Sequence, residues 1–147
     1  MEIVHLILGK ANPQRMNGVN KVVHQLATHQ SMLGHYVQVW GITPTPDGDY
    51  PDRKYSTRLF QSHNNKFRID HELAKAIRNS SVETKFHLHG GFIPEFYHAV
   101  RILHSTGHEF VFTPHGSYNM IAMQKNHFIK SLYCPLVEEF VVSSAKA

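Results

Sequence analysis

Two stretches, "SMLGHYVQVWG" (Ser31 to Gly41) and "HSTGHEFVFTPHG" (His104 to Gly116), decide how this chain is read. Each runs from the end of an apolar helical repeat, through Gly-His, into a short run of β-branched and aromatic residues. A glycine past the last helical turn takes the left-handed conformation that ends the helix. The apolar run after it is a buried strand. The same helix-to-strand joint is used twice, without a tandem repeat in the solenoid sense.

Working outward, "EIVHLIL" (Glu2 to Leu8) is a first strand, and Val19, Val22, Val23, Leu26, Ala27 and Leu33 fall at helical spacing after it, with Asn17 as N-cap. "YVQVWGI" is the second strand, "TRLFQS" a third and "TKFHLHG" a fourth. "EFVFT" is the fifth. Ile69, Leu73, Ala76 and Ile77 mark one intervening helix; Ile93, Phe96, Tyr97, Val100 and Leu103 mark another. Alternating strands and helices predict an α/β fold: an open, Rossmann-like parallel sheet of about five strands with helices on both faces, residues 1–147 forming one domain. In the tail, Phe128, Ile129, Leu132, Tyr133, Leu136, Val137, Phe140 and Val141 form a wide apolar helical face, which Pro135 kinks or splits.

Composition narrows the function. A net charge of +4 over 147 residues falls short of a dedicated nucleic-acid binder. The single cysteine, Cys134, excludes an internal disulfide framework and fits a reducing compartment. The N-terminus lacks a secretory pattern, and no apolar stretch approaches the roughly 20 residues that span a bilayer. A cytoplasmic protein is expected, with contact at the inner face of a membrane through the tail and its Lys125 and Lys130 as a further option. Thirteen histidines invite a metal reading. His87 and His89 lie on one side of a strand, but no third ligand follows at a recognisable spacing and there is no Cys pair or HExxH, so no metal is expected.

In such a sheet, ligands bind beyond the carboxyl ends of the strands where strand order reverses. The loops meeting there are "GKANPQRMNGVN", "HGGFIPE" and "PHGSYN". Asn17 and Gly18 start a helix whose free N–H groups suit a phosphate, with Arg15 and Lys21 nearby in sequence; the plainer alternative is a capped helix. Gly90 and Gly91 keep a crevice floor clear beside His89, or simply permit a turn. His115 either contacts a hydroxyl-rich ligand and steadies developing charge, or packs within its loop. Ser117 is expected to cap the following helix.

The opening segment through Ile42, together with "FHLHGGFIPEFY" and "FVFTPHGSYN", resembles bacterial glycosyltransferase family 4 enzymes over essentially the whole chain. The resemblance implies the N-terminal, acceptor-side half of a GT-B fold, in a retaining, metal-independent enzyme of polysaccharide or glycoconjugate assembly. It places Asn17 and Gly18 at the diphosphate of a nucleotide-sugar donor and His89, Gly90 and Gly91 on the acceptor side. It sets His115, as the catalytic candidate, against the transferred sugar. No cofactor is implied beyond the nucleotide-sugar substrate. The first loop carries Asn-Gly where the family often has Gly-Gly, and the donor domain's glutamates seven residues apart do not occur here. The chain is thus expected to lack its C-terminal donor-binding domain, to be inactive alone, and to self-associate through an exposed apolar face. The rival reading is a free-standing module that binds a sugar or nucleotide without turning it over.

Overall fold

A computed structural model of the protein describes residues 1–14 and 18–146. Its single sheet contains β1 (Glu2–Leu8), β2 (Tyr36–Thr43), β3 (Ser56–Gln61), β4 (Lys85–His89) and β5 (Phe110–Thr113), all parallel, in the order β3-β2-β1-β4-β5. The predicted α/β, Rossmann-like class is the observed one. Strand order reverses between β1 and β4, so the loops after β1, β4 and β5 open at one edge.

The strands' two-residue period separates two cores. Ile3, Ile7, Val37 and Val39 face α1 (Gly18–Met32), which buries Val23 and Ala27 against them. Val4, Leu6, Trp40, Ile42, Phe86 and Leu88 face the other way, onto α2 (His71–Asn79) and α3 (Pro94–Ser105). Trp40 sits edge-on between Phe60 and Phe86, at 5.6 and 5.7 Å. Local chemistry starts the helices: the Asp70 carboxylate accepts from Glu72 N at the head of α2, and Pro94 occupies the first turn of α3, where its missing N–H costs nothing. Helices therefore cover both faces, as the alternation requires.

Several expected core positions move. Val22 and Leu33 are exposed, because α1 lies on the sheet along the narrower Val23–Ala27 stripe. Ile69 and Ile93 are not helical but stand just ahead of α2 and α3. The N-cap assigned to Asn17 lies outside the described residues.

The tail departs most. It forms α4 (Met120–Gln124), α5 (His127–Tyr133), a π-turn (Cys134–Glu138) and α6 (Glu139–Ser144). The predicted break at Pro135 takes the form of that π-turn: Glu139 N donates to Cys134 O, five residues back. Among its apolar residues Val141 is buried in the core, and Phe140 packs partly against it. Phe128, Ile129, Leu132 and Leu136 face solvent, so the wide apolar face predicted for the tail exists but is largely uncovered. Asn119, not Ser117, caps α4, accepting from Ala122 N. Among the described residues no helix is long and apolar enough to cross a membrane.

Candidate functional site

At the reversal point four histidines gather on the α1 face of the sheet. In the parallel register His5 of β1 stands beside His87 of β4, and His89, two residues on, shares the face. His115 follows β5 with a left-handed backbone, φ +51°, a conformation uncommon for a residue with a side chain. That geometry goes with a ring contact: His115 stacks over His89 at 5.0 Å, and His89 stacks over His87 at 3.8 Å.

Three of the rings form one hydrogen-bonded chain. Gln30 of α1 meets His5 Nε2 at 2.7 Å, His5 Nδ1 meets His89 Nε2 at 2.8 Å, and His89 Nδ1 meets His115 Nε2 at 2.8 Å. The Gln30 oxygen can only accept, so the proton of His5 sits on Nε2. Its Nδ1 then accepts from His89 Nε2–H, and His89 Nδ1 in turn accepts from His115 Nε2–H. Every ring is fixed as the same neutral tautomer, and His115 Nδ1 is left holding a lone pair. It makes no hydrogen bond among the described residues. Burial enforces neutrality: desolvation lowers the pKa of His5, opposed in part by the Gln30 contact. Desolvation, then the neighbouring rings, depresses His89 strongly and takes His87 down to about 4. Desolvation lowers His115 as well. A neutral His115 suits acceptance from a hydroxyl, and not pairing with an anion.

The glycines at the end of β4 answer to a different need. Gly90 takes φ +108°, and a Cβ on Gly91 would stand 2.8 Å from Ser117 Cβ, closer than packed carbons approach. The two loops touch here without side chains between them. Gly91 N donates to Ser117 Oγ and Phe92 N to Glu138 Oε1, so these amides are committed inside the protein. Ser117, expected as a helix cap, joins the β4 and β5 loops.

Glu138 is the polar residue that reading along the chain passed over. Only 5% exposed, it accepts from Phe92 N at 2.9 Å and from the Tyr118 hydroxyl, tying the tail to both loops. Desolvation, together with that bond, raises the Tyr118 pKa well above its ordinary range. A carboxylate inside an apolar helical face was the available signal.

The structure brings His89, Gly90, Gly91 and His115 together. Gly18 begins α1, exposed and with open space around its Cα, while Asn17 lies outside the described residues. A cleft of about 640 Å³ lies elsewhere, between α2 and α3, lined by Arg68, Arg78 and Arg101 among others. The loops after β1, β4 and β5 meet at the reversal point, whereas that cleft is lined by the loop after β3 with α2 and α3, away from the reversal, so the strand ends at the reversal are the better candidate.

Residues 16–145 match the profile of Glycosyltransferase Family 4. Comparison with curated proteins and with solved structures yields no match. The profile covers nearly the whole chain, and the chain belongs to this family.

Proposed function

From that membership we propose that the domain is the acceptor-side half of a retaining glycosyltransferase, holding a glycan or glycoconjugate acceptor while a sugar is transferred from a nucleotide-sugar. The observation that carries the reading is the hydrogen-bonded chain from Gln30 to His115, which presents an acceptor nitrogen at the strand-order reversal. His115 Nδ1 accepts from a sugar hydroxyl and fixes the ring's orientation at the reacting centre, the kind of positioning on which transfer depends. The loop of Gly90 and Gly91 forms the floor beneath the acceptor. Gly18, at the head of α1, and Asn17, before it in the sequence, bind the donor diphosphate, where helix N–H groups and the helix dipole favour negative charge. The complementary grip on the nucleotide comes from a second domain, and the 147 residues alone turn over no donor. We further propose that the protein works in the cytoplasm and that the tail's uncovered apolar face supports self-association or contact with the inner face of a membrane.

The test mixes the isotopically labelled chain with UDP-glucose or GDP-mannose and an alkyl glycoside as acceptor. Expected are saturable amide shifts at Gly90, Gly91 and His115, a roughly tenfold weaker acceptor affinity in His115→Ala, and no release of nucleoside diphosphate. Appreciable release with acceptor present overturns the half-site reading. Shifts confined to the cleft of Arg68, Arg78 and Arg101 overturn the placement of the acceptor.

A further inference from the structure

We propose that His5, His87 and His89 form a binding site for one divalent transition metal of the zinc class, on the α1 face of the sheet beside the end of β4. Spacing along the chain supplies only the pair on β4. The third ligand comes from pairing between β1 and β4, which sets His5 directly opposite His87. One ring nitrogen from each of the three lies within 4.8 Å of the others.

The remaining nitrogens favour the assignment. A metal-bound histidine normally uses its far nitrogen for a hydrogen bond that fixes the ring. Here His5 Nε2 is held by Gln30 Oε1 at 2.7 Å, His87 Nε2 by Thr113 Oγ1 at 2.8 Å, and His89 Nδ1 by His115 Nε2 at 2.8 Å. That leaves His5 Nδ1, His87 Nδ1 and His89 Nε2 for the ion. Three imidazoles with one open position is a donor set that holds catalytic zinc. An all-nitrogen set selects zinc, cobalt, nickel or copper against magnesium and calcium, which take oxygen. The rings are neutral at pH 7, so binding does not first require stripping protons from imidazolium groups. His87 is only partly buried and Val111, its neighbour across the β4–β5 register, is exposed, which leaves a route from solvent.

Binding needs a rearrangement: the ligand nitrogens lie within 4.8 Å of one another, and the His87 and His89 rings, stacked at 3.8 Å, must tilt apart so that both lone pairs meet one ion. Metal–nitrogen bonds of about 2.0–2.1 Å at tetrahedral angles need nitrogens about 3.3 Å apart. His5 Nδ1 and His89 Nε2 stand at 2.8 Å around a shared proton, so they must part by about 0.5 Å. Protons balance without release: His89 passes from the Nε2–H to the Nδ1–H tautomer, and His115 does the same. An occupied site therefore turns His115 Nδ1 from an acceptor into a donor.

Chelator-treated protein titrated with cobalt(II) tests this. One equivalent is expected to give the intense visible d–d absorption of a tetrahedral or five-coordinate nitrogen site, and zinc to abolish it. His87→Asn, at the rim, is expected to weaken binding at least about tenfold, the range that losing even an outer-shell partner produces. His127→Asn, on the exposed tail, leaves it unchanged. Should His5→Asn or His89→Asn fail to fold, His87→Asn still decides. The site is refuted by a weak octahedral spectrum, by the absence of a one-equivalent end point, or by an unchanged affinity in His87→Asn.

Discussion

The histidine chain and the tail invert the usual placement of polar and apolar groups, in opposite directions. At the reversal point, polar rings lie inside: His5 is 0% exposed, yet both its nitrogens are hydrogen-bonded. In the tail, apolar groups lie outside: Phe128 is 75% and Ile121 is 83% exposed. Both nitrogens of His5 and of His89 are paired within the domain, whereas the exposed apolar groups have nothing described against them. Polar rings paired in this way specify one arrangement. An apolar face without a partner specifies none by itself, and what holds the tail in place is instead Val141 in the core together with the buried carboxylate of Glu138.

The largest expected effect breaks that attachment. Glu138→Ala leaves the Phe92 amide and the Tyr118 hydroxyl without their acceptor, and a loss of about 3 kcal/mol is expected in urea unfolding. A loss under about 0.5 kcal/mol would show that the tail is held by its apolar contacts after all. Gly91→Ala comes next, at about 2 kcal/mol, since its new methyl meets Ser117 Cβ at 2.8 Å. Acceptor affinity is expected to fall with it, because the two loops must separate.

Acid sharpens the other side of the comparison. His87 binds its proton near pH 6.5 when unfolded and near 4 when folded, so the unfolded chain takes up the proton first as pH falls. In chelator-treated protein, stability is fully present above about pH 6.5 and is lost towards 4. About 1–2 kcal/mol is expected from this ring, allowing for its partial exposure, and thermal melts across that range measure it. A flat melting temperature between those values would mean that the rings are not held neutral. The smallest effect belongs to the tail's outer face. Phe128→Ser, Ile129→Ser and Leu132→Ser together are expected to change urea-unfolding stability by less than about 0.5 kcal/mol each. They are also expected to abolish the concentration-dependent sedimentation that self-association predicts for the native chain. A native chain that sediments independently of concentration removes the self-association proposal.

How much of this was readable in sequence follows from which interactions are local. The strands around "EIVHLIL" and "FHLH" and the glycines at 34 and 107 announce themselves through periodicity and backbone preference, and the reversal of strand order follows from topology. Period two also places His87 and His89 on one face. His5 joins them only through the register between β1 and β4, which no pattern within either strand encodes. Its position amid "IVHLI" was nonetheless a sign, since a polar ring inside a fully apolar strand needs a partner. Val22, Leu33 and the outer tail show the converse limit. Helical spacing reports that a face is apolar but not whether anything packs against it.

Glu138 has a consequence for local opening. Its carboxylate joins the π-turn, Tyr118 and the Phe92 amide, which lies one residue after the glycine pair under the proposed acceptor. Lifting the tail therefore frees the loop, and the two open as one cooperative segment rather than as separate fluctuations. The deuterium uptake of the Phe92 amide then reports that shared opening, and a ligand seated over Gly90 and Gly91 slows exchange in a helix it never touches.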